Sequence, residues 1–92
     1  MPHFLRHDFN NALIIGRRAV ELNPGFTSTY KGYLATLGHL AYRQEADRIL
    51  SRLLELEPAF SIRNAIERSP MLRQQDLDLY ADGLRRAGLR ED

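Results

Sequence analysis

Three histidines and no cysteines limit the side chains of this 92-residue chain that could bind a metal or attack a substrate. His3 and His7 are four residues apart, so on a helix both would face the same way, as pairs of metal ligands do. Only Asp8 stands nearby as a third ligand, so we favour a frayed N-terminus over a metal site. His39 lies within a predicted helix, where an exposed polar side chain is the simpler interpretation.

Patterns typical of catalysis are missing from the sequence. It contains no Gly-x-Ser-x-Gly elbow and no glycine-rich phosphate loop. Without cysteine it has neither a thiolate nucleophile nor a thiolate zinc site. The aspartates Asp47, Asp76 and Asp78 fall on predicted helix surfaces. We therefore predict a non-catalytic protein that needs no cofactor.

The charges are nearly balanced, with 13 basic and 12 acidic residues. Arginine-rich surfaces can bind phosphate groups, and the pairs Arg17-Arg18 and Arg85-Arg86 keep nucleic-acid binding open as a weak alternative. Acidic residues are interleaved throughout, however, which is typical of solvated helix faces. We expect the partner to be a protein or a peptide.

No apolar stretch exceeds four residues, so the sequence predicts neither a membrane-spanning helix nor the apolar region of a signal peptide. We expect a single cytoplasmic domain, because the sequence carries no recognisable signal that would target it elsewhere.

A 34-residue repeat organises the chain. Ala12 and Ala46 are 34 residues apart, and so are Pro24 and Pro58, each of which ends a Leu-x-Pro sequence. Within 44–57 the apolar residues recur at helical spacing, and proline cannot continue a helix. Further helices are predicted over 27–41, 61–68 and 73–87. Thr27 or Ser28 is expected to cap the first of these and Ser61 the second. Gly88 and Leu89 should end the last in a Schellman turn.

This period and these residues resemble the tetratricopeptide-repeat (TPR) family. Ala12, Ala19 and Pro24 match its small, small and proline positions. In the second copy the same positions are filled by Ala46, Leu53 and Pro58. The resemblance implies an all-α fold of antiparallel helical hairpins, a right-handed solenoid fragment with a C-terminal capping helix. It divides residues 1–92 into the second helix of a partial repeat (8–24), a complete repeat (27–60) and cap helices (61–92).

Two features depart from the family pattern. Counting back from Ala12, the first repeat lacks most of its leading helix, so we expect a fragment of a longer protein or an unusual N-terminus. Gly16 stands in mid-helix, where glycine costs about 1 kcal/mol relative to alanine, and it indicates either tight packing or a weak first repeat.

A narrower resemblance covers the chain from about Asp8 to its end. Leu-Asn-Pro-Gly-Phe at 22–26 and Gly-Leu-Arg-Arg-Ala-Gly-Leu at 83–89 look like the C-terminal TPR tails of bacterial class III adenylate/guanylate cyclases. The resemblance implies a regulatory or scaffolding tail. It transfers no cyclase activity, because the catalytic residues of that family lie in a domain outside these residues.

Two surfaces are candidates for binding. By analogy with the family, the leading helix would line a concave groove. Its candidate partner-binding residues are Ser28, Lys31, Ala35, Gly38 and His39. Ala35 stands where carboxylate-binding members have asparagine, so a short peptide or an apolar helix is a better fit than an acidic tail. The candidate self-association face is formed by Ala12, Ile15, Ala19 and Leu22.

That second surface would lack its partner helix and should attract another copy, which gives a homodimer. A purely structural role, as one packing unit of a longer solenoid, is the alternative.

Overall fold

The computed structural model describes residues 9–70 and 72–92. Over these residues the regular secondary structure is all helical, and there is no strand. The helices are α1 (Phe9–Leu22), α2 (Thr27–Leu40), α3 (Arg43–Leu56), α4 (Ile62–Glu67) and α5 (Gln74–Arg86). The prediction of an all-α fold is confirmed. Each helix coincides with a segment for which the sequence predicts one, except that α3 begins one residue before the predicted 44–57.

Helix α2 forms the centre of the domain. It packs against α5 most extensively, and against α1 and α3 as well. From Gly32 to Gly38 every residue is buried, as expected for a helix that is apolar or small on all sides. The other helices, and the segments that follow α3 and α5, contribute the rest of the core, which includes Leu13, Ala46, Leu53, Phe60, Ile62, Ala65, Ala81, Leu84 and Leu89.

The C-terminal helix folds back across α2. The closest approach joins Gly38 to Gly83, where a Cβ built on Gly38 would lie 1.8 Å from the carbonyl oxygen of Gly83. Only glycine permits backbones to pass at this distance. The resulting domain measures 30 × 28 × 22 Å. Its radius of gyration, 11.7 Å, is close to the ~12 Å expected of a compact chain of this length.

Proline and local hydrogen bonds set the helix ends. Helices α1 and α3 end immediately before Asn23-Pro24 and Glu57-Pro58, as predicted. The hydroxyl of Ser61 accepts a hydrogen bond of 3.2 Å from the backbone N–H of Asn64, which confirms the predicted cap of α4. The predicted cap of α2 is wrong: Phe26 occupies the N-cap position and no side chain caps that helix.

Two helices end in Schellman turns. After α5, Gly88 adopts a positive φ of 102° and the N–H of Leu89 donates to the carbonyl of Leu84 over 3.1 Å, as the sequence predicts. After α2, Ala41 takes the same left-handed conformation, with φ of 60°, although it is not glycine. The connection from α2 to α3 is therefore only two residues long, and the pair forms a helical hairpin.

Candidate functional site

Helix α5 covers most of the predicted groove on α2. Ala35 and Gly38 are buried, and a Cβ on Gly83 would lie 2.5 Å from the carbonyl oxygen of Ala35. His39 is half-buried and its Nε2 lies 2.7 Å from the carbonyl oxygen of Leu79 in α5. These three candidates therefore contact the chain's own C-terminal helix. Of the five, only Ser28 is exposed.

Lys31, the fifth groove candidate, is engaged within the domain. Its ammonium lies 3.2 Å from the carboxylate of Glu57 and 4.6 Å from the centre of the Phe60 ring, a cation–π distance. Arg68 also pairs with Glu57, at 3.1 Å. Lys31 thus ties α2 to the segment after α3, and its side chain is only 17% exposed. A partner would have to compete with these contacts to bind it.

Helix α1 presents two different faces. Its inner face packs on α2 through Ala12, Leu13 and Gly16, all of which are buried. Its other side exposes Ile15 by 48% and Leu22 by 78%. Of the predicted self-association face, Ala12 thus belongs to the core, Ala19 is half-buried, and Ile15 and Leu22 are open to solvent.

Ile14 belongs to the same open surface, with 61% of its side chain exposed. Sequence analysis did not single it out, because it lies almost opposite the inner face that carries the repeat pattern. On a helical wheel Ile14, Arg18, Leu22 and Ile15 fall within an arc of about 100°. We call these four residues the outer face of α1. This apolar stripe, interrupted by Arg18 and by the exposed Asn11 in the same arc, is available to pack against another surface.

Close packing holds the inner face of α1 to α2. A Cβ built on Gly16 would lie 2.9 Å from Cγ of Tyr33, so the tyrosine ring occupies the space that a side chain would need. Of the two interpretations of Gly16, the structure therefore supports tight packing.

An ion pair beside this contact joins three helices. Arg17 of α1 donates two hydrogen bonds to Glu45 of α3, at 2.9 and 2.6 Å. The hydroxyl of Tyr33 in α2 donates a third to the same carboxylate. The hydrogen bonds from Arg17, with a further one from Tyr33, lower the pKa of Glu45 to about 2. Burial, and then the hydrogen bond to Glu45, raise the pKa of Tyr33 to about 12.

The arginine pairs are largely neutralised by acids. Arg17 binds Glu45, Arg85 binds Glu91, and Arg86 lies 2.9 Å from Asp82. A basic surface for nucleic acid would need these side chains free. Three of the four are engaged within the domain, and Arg18 alone has no ion pair among the described residues.

The acidic residues near the C-terminus border a shallow cleft between α4 and α5, lined among others by Asp76, Asp78 and Ile66. Asp78 accepts a hydrogen bond from Gln74 one turn earlier. Among the described residues, no group of three or more potential ligands is placed to hold a metal ion. His3 and His7 lie outside the described residues. No helix of the described chain is long and apolar enough to cross a membrane.

Comparisons with known proteins return no match: no family model, no curated protein and no solved structure is significantly similar to this chain. Evidence about function therefore comes from the residues and their geometry.

Proposed function

We propose that this chain is a non-catalytic helical module that binds another protein through the outer face of α1. One observation carries the proposal. Ile14, Ile15 and Leu22 are 48–78% exposed on a helix whose opposite face is closely packed. Complete burial of a fully exposed side chain of this kind contributes roughly 1.5–3 kcal/mol. These three would gain the part that corresponds to their exposed fraction, so a complementary apolar surface would be bound favourably.

We retain the interpretation of the chain as a TPR module. This interpretation is supported by the 34-residue period and by the α2–α3 hairpin in the predicted complete repeat, in which the repeat residues Ala46 and Leu53 are buried. The proposed binding surface differs from that of the family, in which the leading helix lines the groove that binds the partner. Since α5 covers α2, we place the partner on α1, with Ser28 the only groove candidate left exposed.

We further propose that the module serves as a regulatory or scaffolding tail of a larger cytoplasmic bacterial protein. The support is the resemblance of 22–26 and 83–89 to the tails of bacterial cyclases. In a longer solenoid the outer face of α1 would be covered by the preceding helix, and the module would then be a packing unit.

Photo-crosslinking tests where the partner binds. A benzophenone amino acid replaces Ile15 in one variant and Ser51, an exposed residue of α3, in a matched control. Both proteins are irradiated in the cells that naturally produce the chain. We expect a discrete protein adduct from position 15, lost on adding Leu22→Glu, and none from position 51. Equal adducts from the two positions, or none from position 15, would contradict the proposal.

A further inference from the structure

The outer face of α1 carries an unused pair of opposite charges. Arg18 lies within the apolar stripe, and Glu21 borders it beside Ile14 on the helical wheel. Both are exposed, and neither has an ion-pair partner in the described part of the chain. By contrast, the neighbouring Arg17 is bound to Glu45. The free charges therefore belong to the same surface as the free apolar side chains.

When two α1 helices run antiparallel, Arg18 of one copy can pair with Glu21 of the other. If Ile15 of one copy packs against Leu22 of the other, then Glu21 of one copy lies opposite Gly16 of the other. Arg18 is two residues from that position, about 3 Å along the axis at 1.5 Å per residue. An arginine side chain spans this distance, so two symmetric Arg18–Glu21 pairs would lie between two symmetric Ile15–Leu22 contacts. The two Arg18 side chains approach each other near the two-fold axis, and the glutamate paired with each offsets their like charge.

We propose that the partner of this face is a second copy of the chain, bound through antiparallel α1 helices. This inference rests on the proposed function, that the outer face of α1 binds protein, and it names the partner. A two-fold axis makes each favourable contact occur twice. An unrelated apolar helix would cover the isoleucines and leucine and leave Arg18 and Glu21 unpaired.

The dimer is expected to be weak. A few side chains on one helix bury far less than the ~800 Å² per partner of a standard interface. The chain should therefore associate only at high protein concentration and dissociate on dilution, and the solvent-exposed ion pairs should make association sensitive to salt.

Light scattering across a dilution series tests the oligomeric state. We expect the mass to rise from one copy to two as concentration increases. Leu22→Glu should keep the chain monomeric throughout, while Ile66→Glu, which alters an isoleucine 40% exposed on α4, should leave the dimer intact. A chain that stays monomeric at every concentration overturns the proposal, as does a dimer unaffected by Leu22→Glu.

A charge swap tests the ion pairs. Arg18→Glu and Glu21→Arg should each weaken association roughly three- to tenfold, because each puts like charges together. The double variant should restore the affinity of the natural sequence. A double variant as weak as the single ones would overturn the antiparallel arrangement. In dilute solution, where every variant is monomeric, circular dichroism melts should coincide, since the substituted side chains are exposed.

Single cysteines test the direction of the helices, and the chain has no cysteine to interfere. Arg18→Cys places its sulfur near the two-fold axis, so oxidation should link two copies. Leu22→Cys lies opposite position 15, and its counterpart is seven residues away, about 10 Å along the axis. That exceeds the reach of a disulfide. Linkage through position 22, with or without linkage through position 18, would indicate parallel helices and overturn the proposal.

The two proposals can fail separately. A photo-adduct from position 15 with twice the mass of the chain supports both. An adduct with a different protein, together with a monomeric purified chain, would retain α1 as the binding face and overturn the second copy as its partner.

Discussion

Of the three helices that pack against α2, α5 and α1 are attached in different ways. Helix α5 meets α2 backbone to backbone at Gly38 and Gly83. Helix α1 meets α2 through a side chain, the ring of Tyr33 over Gly16. A peripheral ion pair, in which Arg17 is about half exposed, completes this second attachment. The first contact has no freedom to adjust, whereas the second can shift or be loosened by solvent and pH.

This difference separates a structural surface from a binding surface. Both α5 and α1 are amphipathic, but α5 buries Ala81 and Leu84, and its C-cap Ala87, within the chain. Helix α1 keeps an apolar stripe open on its far side. We infer that α2 to α5 form the stable body of the domain and that α1 is the adaptable element, as expected of a helix that exchanges partners.

The largest effect should come from Gly38→Ala. A methyl group here would overlap the carbonyl of Gly83 at 1.8 Å, and backbone cannot yield as a side chain does. We expect a loss above the 1–3 kcal/mol typical of overpacking, enough to unfold much of a domain this small. Urea unfolding measures it. Gly25→Ala is the matched control, since nothing lies within 4 Å of its Cβ, and it should be neutral. Comparable stability of the two variants would mean that α5 does not cross α2 at Gly38.

Glu45→Gln should loosen the attachment of α1. It removes the charge that Arg17 and Tyr33 bind, and we expect a loss of about 1–2 kcal/mol, reduced from the buried value by the exposure of Arg17. Glu55→Gln, which breaks the exposed pair with Arg52, should cost less than 0.5 kcal/mol. Hydrogen exchange should rise in α1 and not in α5. Uniform loosening of both helices would contradict the distinction between them.

The same ion pair predicts an acid dependence of stability. Folding lowers the pKa of Glu45 from its ordinary 4.5 to about 2. Its contribution is therefore complete above about pH 5 and is lost as the pH falls towards 2, because the unfolded chain binds the proton first. Unfolding free energies of the natural chain and of Glu45→Gln should converge across this window. A constant difference down to pH 2 would mean that Glu45 is not the group that titrates.

Gly16→Ala should have a smaller effect than Gly38→Ala, although both add one methyl group. The new Cβ would meet Tyr33 at 2.9–3.0 Å, and this side chain can move by a few tenths of an ångström. Overpacking of roughly 1–2 kcal/mol is partly offset by about 1 kcal/mol of helix propensity. We expect a net loss of about 1 kcal/mol or less in urea unfolding. A loss as large as that of Gly38→Ala would show that α1 is held as rigidly as α5.

Much of the helical framework could be predicted from local residues. Pro24 and Pro58 mark helix ends because proline cannot continue a helix, and Gly88 with Leu89 specifies a Schellman turn. Ala41 could not be foreseen in the same way, since alanine carries no preference for a positive φ.

The path of α5 across α2 could not be predicted from the sequence. Gly38 and Gly83 are 45 residues apart, and neither local pattern indicates that they meet. One signal was present: from Gly32 to Gly38 the helix is apolar or small all round, which indicates burial on several sides and not an open groove. Lys31 shows the same difficulty, since its partner Glu57 lies 26 residues away. Ile15 and Leu22 were identified because the repeat register leaves this side of α1 without its partner helix.

The smallest effect on folding should come from Leu22→Gln, and it sharpens the contrast between the two faces. Leu22 is 78% exposed, so in dilute solution the unfolding free energy should change by no more than about 0.5 kcal/mol. Leu53→Ala, in the core, should cost about 3–5 kcal/mol. At high protein concentration the natural chain should gain stability through association, whereas Leu22→Gln should not. A concentration-independent loss of several kcal/mol on Leu22→Gln would instead place this leucine in the folded core of a single copy.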